Sequence, residues 1–187
     1  MNPLFAAAAE IQQLCLERDW RFCFIGGLAV LRWGEPRLTR DVDLTILAGH
    51  GSEAPAVDVL LDRFEPRIDD ARAFALENRV VLVHASNGVP LDIALGALEF
   101  EERAAERASA WSVGDVSLRT CSAEDLVVHK VFAGRDQDWL DVAGIIVRQG
   151  AALDTELTLS EALPLLELKG SLEDVDRLRA ALGARDS

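Results

Sequence analysis

The chain lacks what a membrane-spanning helix requires: none of its apolar runs approaches the roughly 20 residues needed to cross a bilayer. Its N-terminus, Met1-Asn2-Pro3-Leu4-Phe5 followed by alanines, has no positive segment of the kind that opens a secretory signal. Glu10 and Glu17 fit the polar face of an amphipathic helix instead. Cysteine is scarce. Cys15, Cys23 and Cys121 form an odd, widely spaced set without a C-x-x-C pair, which removes a zinc or redox motif. Their apolar neighbours point to small buried side chains, and a reducing cytoplasm is the expected compartment. Basic residues are outnumbered 32 to 19, for a formal net charge of −13. Phosphate neutralisation supplies most of the affinity of non-specific nucleic-acid binding, so a chain without a Lys/Arg-rich stripe is not expected to bind DNA or RNA unaided. A small-molecule or protein acceptor fits this charge better, and the charge favours divalent cations. Internal repeats, low-complexity tracts and Gly/Pro/Ser-rich linkers are also missing.

What is present is a chain of 187 residues, half of them apolar, enough for a sizeable core. Leu4, Ala7, Ala8, Ile11, Leu14 and Cys15 recur at three- and four-residue spacing, which predicts a helix over 3–18. A short apolar strand over 21–25 ends at Gly26-Gly27, and 28–33 reads as a helix stopped by Gly34 and Pro36. Further strands are expected at 42–47, 73–77, 79–84 and 89–95, the last following the turn signal Asn87-Gly88. A helix over 56–64 lies between the first two. Past Gly96 a charged helix over 99–109 precedes a hairpin at 111–118 around Gly114-Asp115. Helices are then expected at 122–133, 137–148, 158–168 and 171–182. Ser122 with Asp125 resembles a capping box in which Asp replaces the usual Glu or Gln. The expected fold is α+β: a mixed or antiparallel sheet of about five strands over 1–96, then a mainly helical region over 97–187 packed on it.

The segment from Phe24 to Thr45 carries the chemistry. A strand that ends in Gly26-Gly27 at the start of a helix lets backbone approach a ligand closely, and the freed N–H groups favour an anion such as phosphate. The same pair also serves as an ordinary tight turn. Asp41 and Asp43 are two apart, so strand geometry points both carboxylates to one face. Close carboxylates repel unless a cation or proton intervenes, and an all-oxygen pair suits magnesium. Solvent-facing acids at a strand edge would show the same spacing. Asp92 sits in Val89-Pro-Leu-Asp-Ile-Ala-Leu95 among apolar neighbours, where a carboxylate is costly unless paired or metal-bound. Beside the strand over 42–47 it completes a triangle with Asp41 and Asp43; elsewhere it is an acid paired with one of the arginines. Arg37 can reach a phosphate or tie its loop to a carboxylate, and Thr39 is a local hydrogen-bonding residue. Asp138 and Asp141 share a helix face and are expected in ion pairs with Arg135 or another helix.

Gly26-Gly27, a short helix, Asp41-x-Asp43 and a lone Asp92 on a later strand resemble, in order, the motifs of the nucleotidyltransferase (polymerase β-like) superfamily. The finer pattern, Gly26-Gly-x-Ala29 then Gly34-x-x-Arg37-x-Thr39-x-Asp41-x-Asp43, looks most like the minimal AbiEii-type abortive-infection toxins. Ala123-Glu-Asp-Leu-x-x-x-Lys130 and Arg135-x-x-Asp138-x-x-Asp141 are similar to the helical region of that group. The resemblance covers residues 20 to 150. It implies that Gly26 and Gly27 cradle a triphosphate, with Arg37, Thr39 and Lys130 near the nucleotide. It also implies that Asp41 and Asp43 hold one or two magnesium ions, while Asp92 binds the metal nearest the acceptor or activates its hydroxyl. The implied reaction moves a nucleoside monophosphate from a triphosphate, taken as ATP, to a small molecule, protein or tRNA. A toxin role with an antitoxin-like partner is one version. The alternative is a catalytically silent nucleotide- or partner-binding protein of the same fold.

Overall fold

The computed structural model describes residues 2–183. These divide into two compact units, one holding the chain through Leu28 together with Leu38–Cys121, the other holding Ala29–Arg37 and the chain from Ser122 onward.

The first unit begins with α1 (Pro3–Glu17), whose Asn2 cap accepts the Leu4 N–H at 2.9 Å. Pro3 follows the cap, where a missing N–H leaves no helix bond unmade. The strands are β1 (Phe22–Phe24), β2 (Val42–Leu47), β3 (Glu65–Pro66), β4 (Val80–His84), β5 (Pro90–Gly96), β6 (Ser109–Val113) and β7 (Val116–Thr120). Helices α3 (Glu53–Arg63), α4 (Ala71–Asn78) and α5 (Glu99–Arg107) connect them, and α2 (Gly26–Trp33) runs from the first unit into the second. The strands form one mixed sheet in the order β3-β4-β5-β2-β1-β7-β6. β2 runs parallel to β5 and antiparallel to β1, while β7 joins the far side of β1 in parallel. β5 shows the two-residue period plainly: Leu91, Ile93 and Leu95 are buried, whereas Asp92 and Ala94 stay partly open. All three cysteines are buried, and burial pushes the Cys15 thiol up to about 12.

Two features differ from the sequence reading. The sheet has seven strands among the described residues, against about five expected, because the hairpin β6–β7 and the two-residue β3 belong to it. Residues 73–77, expected as a strand, lie in α4. Their alternating Ala-Phe-Ala-Leu imitates a strand period, but Ala, Leu and Glu are strong helix formers and no β-branched residue opposes them. Helix α5 packs on β1 and β2, and the β6–β7 hairpin extends their sheet, so both belong to the first compact unit.

The second unit contains α6 (Ala123–Ala133), α7 (Asp136–Gln149), a 3₁₀ turn (Gly150–Ala152), α8 (Thr155–Lys169) and α9 (Leu172–Gly183). Ser122 caps α6, accepting the Asp125 N–H at 3.1 Å and donating to the Asp125 carboxylate at 2.9 Å. Among the described residues no helix is long and apolar enough to cross a membrane. Its interior holds an ion cluster. Lys130 Nζ lies 2.9 Å from Asp138 and 2.8 Å from Asp141, with both carboxylates and the lysine buried. Arg135 donates to Asp138 at 2.6 Å, and Arg37 grips Asp141 through Nε and Nη2 at 2.8 and 3.0 Å.

Burial alone would raise both carboxyls, but hydrogen bonds from Arg135 and Lys130 on Asp138, and from Arg37 and Lys130 on Asp141, hold them below the ordinary range. Groups lowered in this way stabilise the native state above the unfolded carboxyl value, near about 4, and lose that contribution as pH falls through their native values. Lys130→Met leaves two buried carboxylates short of a partner and is expected to cost about 3–5 kcal/mol. Urea denaturation at pH 7 measures that loss, which should shrink as the carboxylates protonate below about pH 4.

Candidate functional site

The site grows out of the centre of the sheet. β2 and β5 pair in parallel with Asp43 directly opposite Asp92. Asp41 stands one residue ahead of β2, and two-residue spacing returns its side chain to the face of Asp43. Ligand oxygens from Asp41, Asp43 and Asp92 all lie within 4.8 Å of one another, and each residue is only partly buried. Like charges directly opposite on neighbouring strands destabilise a sheet, so the cluster needs compensation. Some is local. Thr39 Oγ1 donates to Asp41 Oδ1 at 3.0 Å, and the Gly27 N–H donates to Asp43 Oδ2 at 3.3 Å. Arg67 forms an ion pair with Asp92 Oδ1.

Gly26 and Gly27 are dictated by this crowding. Only Ile25 separates β1 from α2, and Gly26 turns the chain with a φ of +57°. A Cβ on Gly26 would overlap the Asp43 carboxylate, and one on Gly27 would overlap the Thr39 hydroxyl. The backbone therefore approaches two site residues more closely than any other amino acid permits. The Ile25 N–H donates to the Asp43 carbonyl at 3.0 Å and locks the turn to β2.

The structure thus brings together Asp41, Asp43, Asp92, Gly26, Gly27 and Thr39. Arg37 and Lys130 instead form ion pairs with Asp138 and Asp141 in the second unit, and Arg135 closes the same cluster, as expected for the two acids. Asp92 is less enclosed than its apolar neighbours imply, because Leu91 and Ile93 point to the opposite, buried face. The two readings of Asp92 turn out to be compatible, for it meets both an arginine and the acidic pair. Arg67 escapes the sequence reading. It follows a two-residue strand containing Pro66, which resembles a loop, and its partner lies 25 positions away.

Residues 2–159 match a protein family described as nucleotidyltransferases of unknown function (DUF6036). The chain belongs to that nucleotidyltransferase family. No curated protein matches it. Among solved structures, the solution structure of the antibiotic-resistance factor ANT(2'')-Ia is similar at 17% identity with a TM-score of 0.53, covering 90% of this chain and 94% of that one. A nucleotidyltransferase-like antigenic protein from Paracoccidioides brasiliensis is 13% identical with a TM-score of 0.48, over 94% of this chain and 91% of that one. At such identities the first likeness speaks to the nucleotidyltransferase fold alone.

The turn gives a direct check on this geometry. Gly26→Ala places a side chain in left-handed backbone, at a cost of about 1–2 kcal/mol from conformation alone, and pushes on Asp43 besides. Chemical denaturation should show at least that loss. An alanine variant as stable as the native protein contradicts the close approach.

Proposed function

We propose that the protein transfers a nucleoside monophosphate from a nucleoside triphosphate, ATP in this reading, to a hydroxyl on a small molecule, protein or tRNA. The observation that carries the reading is the clustering of Asp41, Asp43 and Asp92 oxygens within 4.8 Å beside the Gly26-Gly27 turn. Three carboxylates form the all-oxygen donor set that magnesium prefers, usually completed by phosphate oxygens and water. Asp41, Asp43 and Asp92 would hold one or two such ions, which when bound neutralise phosphate charge and lower the pKa of the acceptor hydroxyl.

The remaining tasks fall to the chain itself. Gly26 and Gly27 begin α2, where backbone N–H groups and the helix dipole favour the anionic triphosphate. Thr39 orients Asp41 through its hydrogen bond, leaving the second carboxylate oxygen for a cation. Asp92 orients the acceptor hydroxyl and takes its proton. The acceptor oxygen then bonds to the α-phosphorus, the bond from that phosphorus to the bridging oxygen breaks, and pyrophosphate leaves. Positioning and charge complementarity supply most of the rate. We assign Arg37 and Lys130 to the ion cluster with Asp138 and Asp141, in place of nucleotide contacts. A toxin role with an antitoxin-like partner belongs to the same proposal, supported by the AbiEii-like motif pattern from Gly26 to Asp141.

Incubation with each α-labelled triphosphate, magnesium and a cell lysate tests the reaction. The native protein is expected to label an acceptor, and Asp41→Asn with Asp43→Asn to lower labelling by more than about a hundredfold. Thermal unfolding of the double variant should stay at or above the native value, since repulsion is relieved. Labelling that survives the change contradicts the proposed site. A native protein that binds triphosphate without magnesium and labels nothing favours the silent binding module.

A further inference from the structure

Arg67 is built into the site by backbone, across three strands. Leu82 of β4 is the register partner of Asp92 on β5. On its other side the same Leu82 accepts the Arg67 N–H through its carbonyl at 3.0 Å, continuing the β3–β4 ladder by one residue. Arg67, Leu82 and Asp92 therefore stand abreast, and the arginine side chain crosses the Leu82 position to reach Asp92 Oδ1. Adjacent strands are about 4.8 Å apart, so the span is close to two strand spacings, within reach of an extended arginine. Both side chains are only about one-third exposed, at 29% for Arg67 and 34% for Asp92. Such a guanidinium is placed by its backbone, unlike a mobile surface arginine that drifts into contact.

We infer that Arg67 is an internal counter-ion to the acidic cluster, competing with a divalent cation for Asp92 and so setting the metal affinity of the site. This rests on the reading of Asp41, Asp43 and Asp92 as metal ligands. Thr39 and the Gly27 N–H give the cluster hydrogen bonds but no formal charge. Arg67 supplies a full positive charge at one of the three carboxylates. A cation that takes Asp92 must displace the guanidinium from it or bind against its charge; either way the cost is paid in affinity. Arg67 acts through Asp92 and is a positioning residue.

Titration of the protein with Mn²⁺ alone, following free Mn²⁺ by electron paramagnetic resonance, reads that affinity without any turnover. Arg67→Gln is expected to tighten binding about three- to tenfold, the effect of deleting one partly solvated charge near a divalent ion. In an Asp92→Asn background the same change should have a smaller effect, because competition for the carboxylate is gone and only the screened repulsion of the ion remains. Binding by Arg67→Gln that equals or falls below the native protein overturns the counter-ion role while leaving the metal site intact. A folded native protein that takes up no Mn²⁺ overturns the metal site, and the role of Arg67 with it.

Discussion

Mutual repulsion among Asp41, Asp43 and Asp92 is the constraint around which the first unit is built. Two unit charges within 4.8 Å repel by on the order of 1–4 kcal/mol, depending on how much water screens them. The sheet nevertheless enforces the approach, because parallel pairing of β2 with β5 sets Asp43 abreast of Asp92. Antiparallel pairing of β1 with β2 then delivers the Gly26-Gly27 turn to the same point. The Thr39 hydroxyl, the Gly27 N–H and the Arg67 guanidinium each offset some of the repulsion.

The few cations near buried acids are distributed with economy. Arg37, Lys130 and Arg135 neutralise Asp138 and Asp141 in the helical unit. That cluster has hydrogen bonds to spare and holds its carboxyls ionised, so it behaves as structure. In the acidic triad Arg67 pairs with Asp92, and all three carboxylates are only partly buried.

Local patterns in the sequence carried much of this arrangement. The Asp41-x-Asp43 spacing, the alternation that surrounds Asp92 and the Asn87-Gly88 turn follow from backbone periodicity, and each reappears in the sheet. Gly88 adopts a φ of +80°, as that turn requires. Register between β2 and β5 was not legible, because it joins segments some fifty residues apart through β3, α4 and β4. Arg67 was hidden for the same reason, its strand being two residues long and edged by proline. The Ala-Phe-Ala-Leu stretch misled in the opposite direction, since an alternating pattern on a short helix mimics a strand. The glycines were read as a phosphate cradle; their overlap with Asp43 and Thr39 is a tertiary reason that no local pattern displays.

The most direct measurement is anomalous diffraction from crystals of the protein grown with Mn²⁺ and a non-hydrolysable triphosphate. An anomalous peak coordinated by oxygens of Asp41, Asp43 and Asp92 is expected, with triphosphate oxygens completing its shell. A triphosphate bound elsewhere, or an ordered Mn²⁺ that leaves these three carboxylates untouched, would contradict it.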